Sequence, residues 1–274
     1  MKHFVLAALL ALASSTAFAQ SVTITDTVAG HGEVTYFDLM KQVIPDLTPG
    51  ETGATGHLPE GIVHLEGDDA TGETPQSVKI SSLDVDTVRS GGEDMLWVLA
   101  DLGEGGNIET YTLLAVFDDS PMPRLLDAKE VDVLDFTSFV GAPFAIGTDS
   151  EAMLVGSGHF NSNESFQHRT LAHVHEGKLQ VIATFSLFGL RSCEEWTTEE
   201  LTLTSENDQQ EHWGIDATIL RKRALAGQNC EEPLDSDWRQ REFVAQYVWD
   251  STGQHYVVAR NDFEDLARMD EILH

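Results

Sequence analysis

Apolar residues in this chain recur mainly at every second position, the repeat of a β-strand whose side chains alternate between two faces. The segment Asp94–Leu102 is more constraining still. Met95, Leu96, Trp97, Val98 and Leu99 are consecutive apolar residues, so both faces of that strand are expected to be buried. Gly103-Glu104-Gly105-Gly106-Asn107 reads as a turn and Ile108–Phe117 as the returning strand, a hairpin expected at the centre of a sheet.

A second hairpin is expected from Thr170–His175 and Lys178–Phe188 about Glu176-Gly177. A two-residue turn there pairs His175 with Lys178, Val174 with Leu179 and His173 with Gln180. Ala172, Val174, Leu179, Val181, Ala183 and Phe185 then form a core face, and His173, His175, Lys178 and Gln180 a wet one. A third hairpin flanks Asp250–Gln254. Further strands are expected at 22–28, 62–65, 152–155, 200–204 and 214–220, and at 77–85 with a bulge near Ser81-Ser82.

Helical signals are few. Thr35 with Asp38 makes a capping box, followed by Tyr36, Met40, Val43, Ile44 and Leu47, with Pro45 limiting the helix. Asn261 with Glu264 makes a similar start near the C-terminus. The expectation is a mainly β fold of antiparallel sheets, sandwich or barrel-like, with a short N-terminal and a short C-terminal helix. Residues 20–274 are read as a single β-rich domain, with two packed β subdomains as the alternative.

Residues 1–19 have the three parts of a secretory signal peptide: Lys2 and His3, the apolar run Phe4–Leu12, and Ala17-Phe18-Ala19 before Gln20. No later segment reaches the roughly 20 apolar residues that a membrane-spanning helix needs. The expected location is therefore periplasmic or secreted. In such a compartment Cys193 and Cys230 are expected to form one disulfide; neither lies in a C-x-x-C motif.

The chain carries 46 Asp and Glu against 16 Lys and Arg, a formal charge of −30. Such a surface repels nucleic acid phosphates and anionic lipid, so neither is an expected partner. Five of the basic residues gather at Arg221-Lys222-Arg223 and at Arg239 and Arg241.

Candidate chemistry is concentrated in Gly156–His168, a segment read as a loop between strands. His159, Asn161, Asn163, Glu164 and His168 are the expected contacts for a polar ligand such as a sugar, a peptide or an ion. The competing reading is a turn-rich connection whose Asn and Ser side chains satisfy their own backbone. His173 and His175 share one strand face about 7 Å apart, a spacing a divalent metal could bridge with a third ligand such as His168 or His159. Calcium would find carboxylates at Asp68, Asp69 and Glu73 or at Asp84 and Asp86, but neither group completes a calcium-binding loop. Ser157, His159 and Asp149 are of the types a nucleophilic triad needs, without the G-x-S-x-G elbow, so no residue is assigned as catalytic. A non-enzymatic binding or envelope-accessory role is expected first, with a small molecule, glycan or protein as partner. A hydrolase of an extracellular polymer comes second and a metal-handling protein third. No organic cofactor is expected.

Overall fold

The computed structural model describes residues 19–67, 77–104, 110–207, 209–227 and 230–271. The proposed leader therefore lies almost wholly outside the described residues, as do Asp68, Asp69 and Glu73.

The chain begins with β1 (Gln20–Thr23), α1 (Tyr36–Val43) and three short strands, β2 (Thr48–Gly50), β3 (Gly53–Gly56) and β4 (Val78–Ile80). There follow β5 (Ser82–Ser90), β6 (Glu93–Glu104), β7 (Thr110–Asp118), β8 (Leu125–Leu134), β9 (Phe136–Phe139) and β10 (Phe144–Ala145). The remainder is β11 (Glu151–Phe160), β12 (Glu164–His175), β13 (Lys178–Arg191), β14 (Glu195–Ser205), β15 (Ile215–Leu225), β16 (Arg239–Asp250), β17 (His255–Asn261) and α2 (Phe263–Glu271). The fold is mainly β and its strand ladders are antiparallel, as the alternation implies. No helix among the described residues is long and apolar enough to cross a membrane.

The strands form a five-stranded sheet, β1-β5-β6-β7-β8, a small sheet, β2-β3-β4, and a large sheet running from β10 to β17 with β9 also paired to β11. The doubly apolar strand is β6, at the centre of the five-stranded sheet. Its Leu96, Val98, Ala100 and Leu102 pack with α1, and its Met95, Trp97 and Leu99 pack with Met153, Val155, Ala172 and Val174 of β11 and β12. The α1 capping box forms as the sequence implies: Thr35 Oγ1 accepts from the Asp38 backbone N–H and Asp38 accepts from that of Thr35. Tyr36, Leu39, Met40 and Val43 are its buried stripe.

The large sheet folds over on itself. β13 pairs with β14 only at Leu190–Thr197 and Arg191–Trp196, and then the two strands splay apart. The opposite face of β12 and β13, with Leu171, Ala183 and Phe185, thereby packs against Ile215, Ala217, Ala245 and Tyr247 of β15 and β16. Three cores thus separate four layers: α1 with the small sheet, the five-stranded sheet, β11–β13, and β14–β17. α2 inserts Leu266 beside Leu187, Ile219 and Phe243 in the last of these interfaces. The disulfide joins Cys193, in the β13–β14 connection, to Cys230, in the β15–β16 connection.

The structure differs from the sequence expectation in three places. The register of the 170–188 hairpin is as expected at its tip, and Glu176 and Gly177 both take positive φ. A bulge between Leu171 and Ala172 then shifts the pairing. Ala183 and Phe185 consequently face away from Ala172 and Val174, into the other core. On the face expected to be wet, the folded-over half of the sheet buries His173 and half-buries His175 and Gln180, while Lys178 at the hairpin end stays exposed. The segment 62–65 contributes a single bridge, His64 to Glu130, and no strand. The strand read as 77–85 is divided at Ser81 between two sheets.

Candidate functional site

The segment 156–168 is two paired strands and not a loop. β11 and β12 run together as far as Phe160 and Ser165, and only residues 161–163 turn. Asn161 holds that turn: its Oδ1 accepts from the backbone N–H groups of Asn163 (2.9 Å) and Glu164 (2.8 Å), and its Nδ2 donates to Glu164 Oε2. Strand alternation then divides the candidate residues between two faces. His159 and His168 lie on the face toward the five-stranded sheet, where His159 Nδ1 is 2.7 Å from Asp135 and His168 Nε2 is 3.9 Å from Glu66. Asn161, Asn163 and Glu164 line a cleft of about 410 Å³ at the open edge where β13 and β14 diverge.

Phe160, Gln167, Leu187 and Arg191 complete the walls that matter for binding. Phe160 is 52% exposed and stacks on Phe136, itself 37% exposed, with ring centroids 5.5 Å apart and planes 4° from parallel. The glycines of the G-S-G sequence make room for this arrangement. Gly158 faces Phe136 in the ladder, and a Cβ there would come within 2.7 Å of its ring. At Gly156 a Cβ would overlap the Arg169 guanidinium. At the base of the cleft Glu199 is buried, with 1% of its side chain exposed; it accepts the Phe188 N–H. Arg221, equally buried, lies 3.4 Å from it.

A second cluster surrounds His173 and His175. The structure brings His212 to them, from the β14–β15 connection, together with Trp249 of β16 and Tyr256 of β17. His212 stacks on Trp249 at 3.7 Å. His173 and His175 rings are 6.4 Å apart. Buried nitrogens of all three histidines have no hydrogen-bond partner. Among the described residues, however, no group of three or more His, Cys, Asp or Glu converges closely enough to hold a metal ion. The Tyr256 hydroxyl lies 3.0 Å from the Ile146 carbonyl and 3.2 Å from that of Trp213, which anchors the cluster. Burial raises its pKa.

His173 is 2% exposed, and burial, with the neighbouring His212 and His175, pushes its pKa down to about 3. Gln180, opposite it in the ladder, acts in the other direction. The unfolded chain, with an ordinary histidine pKa near 6.5, binds this proton between about pH 6.5 and 3 while the folded chain does not. Stability is therefore full above about pH 6.5 and falls with decreasing pH through that window. The expected loss through His173 alone is about 2 kcal/mol between pH 7 and pH 5. Urea unfolding of the wild-type protein and His173→Phe at both pH values measures it; equal pH dependence in the two proteins would contradict the assignment.

Sequence reasoning missed Phe160, Gln167, Arg191 and Glu199 as cleft residues, and Phe136 as the ring stacked on Phe160. One signal was present: two glycines at alternate positions in a strand leave a trough that only a neighbouring large side chain can fill. No family model, curated protein or solved structure matches this chain.

Proposed function

We propose that this chain is an exported binding protein, without catalytic activity of its own, that holds a glycan in the cleft between the β11–β12 turn and the β13–β14 corner. The observation that carries the reading is the exposed, parallel Phe136–Phe160 stack beside a cleft furnished with Asn163, Glu164, Gln167 and Arg191. Exposed apolar patches beside concave polar surface mark binding sites. A sugar ring offers both a flat C–H face for an aromatic ring and a rim of hydroxyls for amides, carboxylate and guanidinium. Export to the periplasm or the exterior is supported by the leader pattern and by the disulfide, which persists in an oxidising compartment.

Calorimetric titration of the mature protein with neutral oligosaccharides tests the reading. At a concentration 100 times its Kd, a bound member raises stability by about 2.7 kcal/mol. Phe160→Ala is expected to weaken binding roughly tenfold, equivalent to about 1.4 kcal/mol. Absence of binding across the panel, or unchanged affinity in Phe160→Ala, refutes it. Shortened products after incubation would favour the polymer hydrolase, with Glu164 as the first carboxylate to replace.

A further inference from the structure

β15, β16 and the connection between them enclose a second cleft, of about 810 Å³. Four arginines line it: Arg221 and Arg223 on β15, and Arg239 and Arg241 on β16. In the ladder Arg221 stands directly opposite Arg241, and Arg223 directly opposite Arg239. Like charges directly opposite each other across a strand pair are destabilising. Two such pairs stand side by side in a chain with only 16 Lys and Arg against 46 Asp and Glu. Folding stability accounts for Arg221, through its buried pair with Glu199, but gives no reason to set the exposed Arg239 opposite Arg223.

Acids answer part of the charge. Glu199 pairs with Arg221 and Glu195 with Arg223. Arg239 is exposed and has no ion-pair partner among the described residues. Trp238 and Gln240 line the same cleft and add an aromatic surface and an amide. The guanidinium fork matches the two oxygens of a carboxylate or the edge of a sulfate, which a lysine would meet only as a point charge. The two clefts adjoin at an ion pair: Glu199 lines the aromatic cleft, Arg221 lines this one, and they are 3.4 Å apart.

We infer that the arginine cleft holds the anionic groups of an acidic glycan, carboxylate or sulfate, whose neighbouring sugar units occupy the aromatic cleft. The glycan identity rests on the function proposed above; the anion preference rests on the arginines alone. The strongly negative chain does not prevent this. At about 0.15 M salt the Debye length is about 8 Å, so charges elsewhere on the surface are screened while the arginines act at contact distance.

The test compares neutral, uronate-bearing and sulfate-bearing oligosaccharides of equal length, and inorganic sulfate, on the mature protein at about 0.15 M salt. Acidic oligosaccharides are expected to bind at least tenfold more tightly than neutral ones. Arg239→Gln with Arg241→Gln, both at exposed positions, should erase that preference and leave neutral binding unchanged. Equal affinity for acidic and neutral ligands, or an acidic preference that survives the double substitution, overturns the anion site while leaving the aromatic cleft standing. Acidic ligands that bind through the arginines with no effect of Phe160→Ala overturn the aromatic cleft instead. Inorganic sulfate binding as tightly as the sulfated oligosaccharide overturns the glycan as the source of the anion.

Discussion

Arg221→Met is expected to destabilise the protein by about 3–5 kcal/mol, because it removes one partner of a buried ion pair with Glu199. The two side chains are 4% and 1% exposed, and they meet where β13 and β14 separate. Glu199 serves two purposes there: it balances Arg221 and it accepts the Phe188 N–H at 2.9 Å. Adding Glu199→Leu to Arg221→Met is expected to recover part of the loss, since it removes the charge that Arg221 balanced. Recovery stays incomplete because the Phe188 N–H then loses this acceptor. Urea unfolding of the two single variants and the double variant measures the coupling. Additive losses would show that the pair does not act as a unit.

Reducing the Cys193–Cys230 disulfide is expected to cost roughly 3–4 kcal/mol, the loop-closure entropy of its 37-residue separation. The bridge ties the sheet corner to the connection that walls the arginine cleft. Cys193→Ser with Cys230→Ser should therefore lower the unfolding midpoint with little change in the native strand signal. Superimposable urea curves for the oxidised and substituted proteins would contradict the estimate. The sequence already pointed to this pair, since two cysteines have one pairing open to them.

Much of the architecture was legible because its causes are local. Period-two alternation identifies strands, consecutive apolar residues identify β6 as buried on both faces, and Thr35 with Asp38 announces α1. Glu176-Gly177 sets the hairpin register at its tip because two residues with positive φ can close only a tight turn. The candidate site was half legible. Asn161, Asn163 and Glu164 line the cleft, but His159 and His168, in the same polar stretch, face the other way. Gly, Ser and Asn are common in turns, so this stretch has the composition of a loop; Gly156 and Gly158 instead make space for Arg169 and Phe136.

What the sequence determined by itself is therefore the β class with its three hairpins, the two short helices, the cysteine pairing and the scale of the negative charge. Each depends on residues close in the chain or on composition. Tertiary structure alone decided that the large sheet folds over between Arg191 and Glu195. That single fold-over buries His173 and seats Glu199 against Arg221. It also puts an aromatic cleft and an arginine cleft on either side of that pair. No local pattern encodes these outcomes, because a bulge or a sheet corner shifts side chains between faces without altering the period of the residues on either side.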